Sequence, residues 1–229
     1  SNRVVYQVTL DLDHMGKEPE ERNATLLSLV HAARASGVEW SDTLPISADE
    51  PFVFTEQSPY FTLSQNEDGT LTRLGQLAVK MKWITDPTKE PEPVETAPVQ
   101  QEEPGLWDRI TGFFTGETPQ KEVQTPVQEK DSSLPTARQL LGKMCASFEI
   151  AGEGAVDKKS AEASGQAVPD LNIGDMDPAD ARAIAGLLYE LYLRSREVTW
   201  TPYVFAEGVD IDFISRVKEL SLPGVVIEP

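Results

Sequence analysis

The stretch Val4-Val5-Tyr6-Gln7-Val8-Thr9-Leu10-Asp11-Leu12-Asp13 sets the reading of the fold. Val4, Tyr6, Val8, Leu10 and Leu12 alternate with Val5, Gln7, Thr9, Asp11 and Asp13. A period of two predicts a half-buried strand with one wet face. The chain then changes rhythm. Pro19-Glu20-Glu21 places a proline and two acids in a first helical turn, where both are favoured. Leu26, Leu29, Val30 and Ala33 recur at helical spacing, and Gly37-Val38 supplies a stop signal. Residues 51–54 read as a short strand. Tyr60–Gln65 and Leu71–Ile84 read as two strands of a hairpin turning at Asn66-Glu67-Asp68-Gly69. Lys80 and Lys82 share one face of the second arm, so Asp11 and Asp13 predict that the first strand lies beside residues 77–83.

Residues 86–135 differ in kind. Prolines at 87, 91, 93, 98, 104, 119, 126 and 135 oppose regular helix and central strand. The net charge of −18 divides as −5 over residues 1–85, −7 over 86–135 and −6 over 136–229, so this stretch is the most densely acidic. Its composition predicts an extended, solvated linker. Within it Leu106, Trp107, Ile110, Phe113 and Phe114 fall on one stripe of an amphipathic helix over 105–116, with Asp108, Arg109 and Thr111 on the other side. Gly112 costs about 1 kcal/mol of helix stability, and a segment this short is marginal alone in water. The five side chains are therefore candidate partner-binding residues, ordered on docking. A groove on a partner protein and a groove on this chain compete as docks. A membrane interface ranks behind them, because one Arg opposes one Asp in an acidic setting.

Beyond the linker, Thr136–Ala146 reads as a helix with Leu140, Leu141, Met144 and Cys145 inward. Residues 151–168 read as a loop. Asp177-Pro178-Ala179-Asp180 gives an N-cap, a proline at the first helical position and an acid in the first turn. The helix that follows, about 178–197, carries Ala181, Ile184, Leu187, Leu188 and Leu191 on a broad face that Tyr189, Tyr192 and Leu193 extend. Trp200–Ala206 reads as a strand. Asp210 caps a further helix bearing Phe213, Ile214, Val217 and Leu220, and Val225–Ile227 offers a last strand. The expected fold class is α+β: two small α+β domains, 1–85 and 136–229, joined by a long acidic Pro-rich linker with a short amphipathic helix at 105–116.

These patterns also bear on function. Strong acidity disfavours direct binding to nucleic acid, which requires a basic stripe. The single cysteine, Cys145, precludes an internal disulfide, and no apolar run follows a basic start, so a cytoplasmic location is expected. Asp11, Asp13 and His14 resemble a partial metal set, and Asp170, Asn172, Asp175 and Asp177 a calcium loop. The second departs from EF-hand spacing and has Ala181 where the bidentate Glu belongs; an exposed acidic face and a helix cap account for both. His31 reads as a helix-boundary residue and Cys145 as core. No phosphate-cradling loop, nucleophile elbow, zinc motif or paired-cysteine motif occurs, so no cofactor and no metal are expected. The expected function is a non-catalytic adaptor or structural subunit with a protein partner. The alternatives are an acidic inhibitor or nucleic-acid mimic on a basic surface, and a carboxylate-based hydrolase.

Overall fold

The computed structural model describes residues 3–62, 69–89, 134–150, 171–195 and 201–229. Helices and strands are both present, in α+β arrangement. In chain order they are β1 (Tyr6–Leu10), a 3-10 turn (Leu12–His14), α1 (Pro19–Ala35), β2 (Phe61–Thr62), β3 (Thr70–Leu71), α2 (Arg73–Lys80), α3 (Ala137–Ser147), α4 (Pro178–Ser195), β4 (Tyr203–Val209), α5 (Ile211–Leu220) and β5 (Val225–Glu228).

The opening strand is the centre of a three-stranded antiparallel sheet ordered β4-β1-β5. Its neighbours come from the far end of the chain, not from residues 77–83. Residues 1–86 and 135–229 form one unit, and residues 87–134 a second, which lies almost wholly outside the described residues. The parts read as two domains thus share one sheet, and the boundaries at 85 and 136 do not separate two cores. Val8 and Leu10 are buried on one side of β1, and Thr9 is buried on the other. The alternation reads Thr9 as wet, but Val204 and Val226 stand opposite it on the flanking strands and cover it. The strand stops at Leu10 because Asp11 turns the chain: its carboxylate accepts the Asp13 amide at 3.1 Å and meets His14 Nδ1 at 2.6 Å.

Residues 71–84 are the largest departure from expectation. Among the described residues the hairpin pairs Phe61↔Leu71 and Thr62↔Thr70, and residues 73–80 are helix. Thr72 caps it by accepting the Gly75 amide at 3.0 Å. Leu74, Leu77 and Ala78 form the buried side at helical spacing. The same letters also satisfy a period of two through Leu77, Val79, Met81 and Trp83, and pattern alone cannot choose between them. Gly75 decides for close packing, since a β-carbon there would lie 1.9 Å from the Tyr60 carbonyl oxygen.

The other helices follow their caps. Pro19 opens α1, and its end is a Schellman motif: Gly37 adopts φ +66°, its amide reaches the Arg34 carbonyl, and the Val38 amide reaches the Ala33 carbonyl. In α3, Thr136 and Gln139 make a reciprocal capping box. Asp177 accepts the Ala179 amide at 2.8 Å at the head of α4, and Asp210 accepts the Phe213 amide at 3.1 Å at the head of α5. Residues 181–191 of α4 are buried without a gap. The helix contacts α1, α3 and β4 and is the spine of the core. Among the described residues no helix is long and apolar enough to cross a membrane.

Candidate functional site

Leu106, Trp107, Ile110, Phe113 and Phe114, the candidate partner-binding residues, lie outside the described residues, as do the predicted helix at 105–116 and the loop at 151–168. What the structure does place are the two ends of the polypeptide that carries them. The incoming end is α2 and its cap. Lys82 adopts φ +61°, and the Trp83 amide returns to the Ala78 carbonyl in a Schellman motif. That geometry drives Trp83 inward, where it is buried and its indole N–H donates to Ser147 Oγ at 2.6 Å. The ring meets Phe148 edge-on at 5.6 Å, and Phe148 stacks on Tyr192 of α4 at 5.0 Å.

The outgoing end is held as firmly. The Tyr60 hydroxyl donates to the Pro135 carbonyl at 2.8 Å, one residue before the capping box of α3. The far end of α3 repeats the motif of α2, with Glu149 at φ +54° and the Ile150 amide on the Cys145 carbonyl. Two α1 side chains bind carbonyls there: Arg22 on Phe148 and Asn23 on Glu149. These bonds account for the burial of Asn23, since an unpaired amide at that depth is costly. Both roots of the segment at 87–134 are therefore fixed on the same unit, Trp83 by Ser147 and Phe148 and Pro135 by Tyr60.

The charged groups that the hydrophobic pattern concealed are largely internal fasteners. Arg182 lies inside the core of α4, 3% exposed. Its guanidinium grips both Asp42 carboxylate oxygens, at 2.9 and 3.1 Å, and the Leu44 and Ile46 carbonyls. This ties residues 42–46 to the central helix. Gly186, one turn on, makes room: a β-carbon there would sit 2.6 Å from both Arg182 Nη1 and Asp42 Oδ2. Eight residues beyond Arg182, Glu190 is buried against Arg194, whose guanidinium stacks on the Tyr203 ring at 4.9 Å. Burial, then the nearby Glu190 and Asp42 carboxylates, push the Tyr203 hydroxyl well above its ordinary value; the hydroxyl donates to the Ser41 carbonyl.

Arg194 and Tyr203 also border a cavity of about 150 Å³, with Leu10, Asp11, Leu12, Asp13, Leu191, Ser195 and Thr201. Of its acids, Asp11 holds the turn through the Asp13 backbone amide and His14 Nδ1. That is the role of Asp11 and His14, which the sequence offers as part of a metal set. Among the described residues no group of three or more His, Cys, Asp or Glu is placed to hold a metal ion. Cys145 is buried and its thiol is pushed up to about 12 by desolvation, so the nucleophilic thiolate is strongly disfavoured.

On the surface, Asp180 in the first turn of α4 receives His31 Nε2 at 2.9 Å and the Arg34 guanidinium, both from α1. Burial raises the Asp180 carboxyl, but the hydrogen bonds from His31 and Arg34 outweigh it and hold the group below the usual carboxylate range. His31 sits within the helix rather than at its boundary, and serves as a cross-tie between α1 and α4.

Sequence reading missed Arg182, Gly186, Asp42 and Glu190. A signal existed. A helix apolar on all sides must be buried, and an Arg and a Glu within it must then find partners. Comparison of the chain with protein-family models, with curated proteins and with solved structures finds no match.

Proposed function

We propose that this protein is a non-catalytic adaptor or structural subunit of a protein assembly. It contacts a partner protein through the apolar stripe Leu106, Trp107, Ile110, Phe113 and Phe114, displayed from the acidic segment between α2 and α3. The observation that carries the proposal is the anchoring of both roots on one unit: Trp83 to Ser147 and Phe148 on one side, Tyr60 to Pro135 on the other. A segment fixed at both ends is a loop presented by a body, not a tether between two bodies. Fixing both ends restricts the span over which the stripe searches, and raises its effective concentration near surfaces adjoining the roots.

Burying five large side chains contributes roughly 1.5–3 kcal/mol each, and ordering the backbone opposes this by about 1–2 kcal/mol per residue, so presentation from fixed roots and contacts by the acidic flanks must supplement the stripe. A partner groove lined with apolar side chains and rimmed by basic ones fits both the stripe and the acidic flanks.

The test is affinity capture with the full chain and with a Trp107→Ala, Phe113→Ala double variant, quantified by mass spectrometry. A partner retained by the wild type and lost by the variant supports the reading. If every partner stays bound, the stripe is not the docking surface. Capture that collapses with salt while ignoring the two substitutions points instead to an acidic inhibitor acting on a basic surface.

A further inference from the structure

The sheet has two edges, and the described residues treat them differently. The β4 edge is covered: the Ser41 amide donates to the Phe205 carbonyl at 2.9 Å, and the Tyr203 hydroxyl donates to the Ser41 carbonyl. Along the outer edge of β5 nothing pairs among the described residues. Hydrogen-bond phase shows what that edge offers. The Asp11 amide donates to the Gly224 carbonyl at 2.8 Å, and the register continues as Leu10↔Val225, Thr9↔Val226, Val8↔Ile227 and Gln7↔Glu228. Antiparallel ladders alternate, so Val226 and Glu228 turn their backbone groups toward β1, while Val225 and Ile227 turn theirs outward. The Val225 amide is engaged by the Leu222 carbonyl at 3.4 Å. The Ile227 N–H, the Ile227 C=O and the Val225 C=O remain for an added strand. Val225-Val226-Ile227 carries neither lysine nor proline nor bulge, the usual guards of an exposed edge.

We propose that the outer edge of β5 accepts an extended segment of a basic partner protein as a fourth strand. Main-chain pairing supplies attachment and the side chains of β5 supply selection. Val226 is 43% exposed on the open face of the sheet, in line with Thr9 and Val204. A β-branched residue opposite it extends that stripe. Glu228 lies two residues along the same face, with Oε2 accepting from the Gln7 side-chain Nε2 at 2.9 Å. A lysine or arginine opposite Glu228 completes a cross-strand ion pair. Charge chooses the occupant. A second copy brings another −18 charge to an edge too short to offset the repulsion, whereas a basic strand is drawn to it. The residues that carry this proposal, 225–228, are not those of the stripe at 105–116, and neither reading depends on the other.

The test uses the full ¹⁵N-labelled chain and a short capped peptide with lysine, valine, valine and threonine at its central positions. In antiparallel register its lysine meets Glu228 and its second valine meets Val226. The expected result is a saturable shift of the Ile227 amide resonance with slowed hydrogen exchange there. N-methylating the alternate peptide amides that face β5 should weaken binding at least tenfold, and N-methylating the other set should leave it within twofold. Glutamate in place of the peptide lysine, or Glu228→Lys in the protein, should weaken it up to about fivefold, the upper end of a cross-strand ion pair. Absence of binding, an unmoved Ile227 amide at saturation, equal loss from both N-methylated peptides, or self-association through β5 would each overturn the proposal.

Discussion

Gly186→Ala tests whether the Arg182–Asp42 fastener is organised around the missing side chain. In an ordinary helix the change gains about 1 kcal/mol. Here the new methyl would stand 2.6 Å from Arg182 Nη1, 2.6 Å from Asp42 Oδ2 and 2.9 Å from Asp42 Oδ1. Both partners must withdraw by about 1 Å to reach ordinary contact. The guanidinium keeps its bonds to the Leu44 and Ile46 carbonyls, so the damage falls on its two bonds to Asp42. Hydrogen bonds to charged groups contribute about 1.5–3 kcal/mol each, and breaking a buried pair outright costs about 3–5 kcal/mol. Displacement weakens the pair rather than breaking it outright, so about 2–4 kcal/mol is lost and, set against the helical gain of about 1 kcal/mol, the expected net loss is about 1–3 kcal/mol. In urea unfolding followed by tryptophan fluorescence, the midpoint should fall by roughly 1 M at unchanged slope. The control is the same substitution in an Asp42→Ala background. With the carboxylate gone the conflict is largely relieved, so Gly186→Ala should become neutral or mildly stabilising, giving a coupling of about 2 kcal/mol. A single variant as stable as wild type, or a cycle with no coupling, would refute the steric account.

Other outcomes follow from the caps, the surface cluster and the buried thiol. Thr136→Ala removes the capping box of α3 and should cost about 1 kcal/mol in the same unfolding assay. Lys82→Gly relieves a left-handed residue at the end of α2 and should raise the midpoint by up to about 1 kcal/mol equivalent, reduced by the flexibility glycine adds to the unfolded chain. The folded-state Asp180 carboxyl titrates below its unfolded value, so its stabilisation is full above the unfolded pKa and is lost as pH falls through the folded one. The stability gap between wild type and Asp180→Ala, about 1 kcal/mol or less for so exposed a cluster, should be present at about pH 5 and close toward pH 2. Cys145 should resist a thiol-specific chromogenic reagent in the native protein and react fully once unfolded in urea; rapid native labelling would contradict its burial.

Legibility in the sequence divides along the range of the forces involved. Pro19, Gly37, Pro178 and Asp210 place helix ends to within a residue or two, because a cap joins atoms only a few positions apart. The strands β1, β4 and β5 could be read as strands for the same reason, from alternation and flanking turns. What they pair with was out of reach. β1 meets residues about two hundred positions away, and the plausible charge match with Lys80 and Lys82 is local to a segment that is in fact helical. Residues 73–80 satisfy both periods, and the tie is broken by Tyr60 packing onto Gly75 and by the Thr72 cap. Of the candidate contact surfaces, the stripe at 105–116 is a sequence feature alone, visible because its neighbours cannot bury it. The edge of β5, unpaired among the described residues, is a product of tertiary structure alone. So is the burial of Arg182: hydropathy places an arginine outside, and only the convergence of Asp42, Leu44 and Ile46 on one guanidinium makes the interior the lower-energy place for it. The sequence determined most of the helix ends and marked 105–116 as the candidate docking segment. The tertiary structure decided that both ends of the chain build one sheet, because strand pairing and charge burial depend on groups that sequence distance keeps apart.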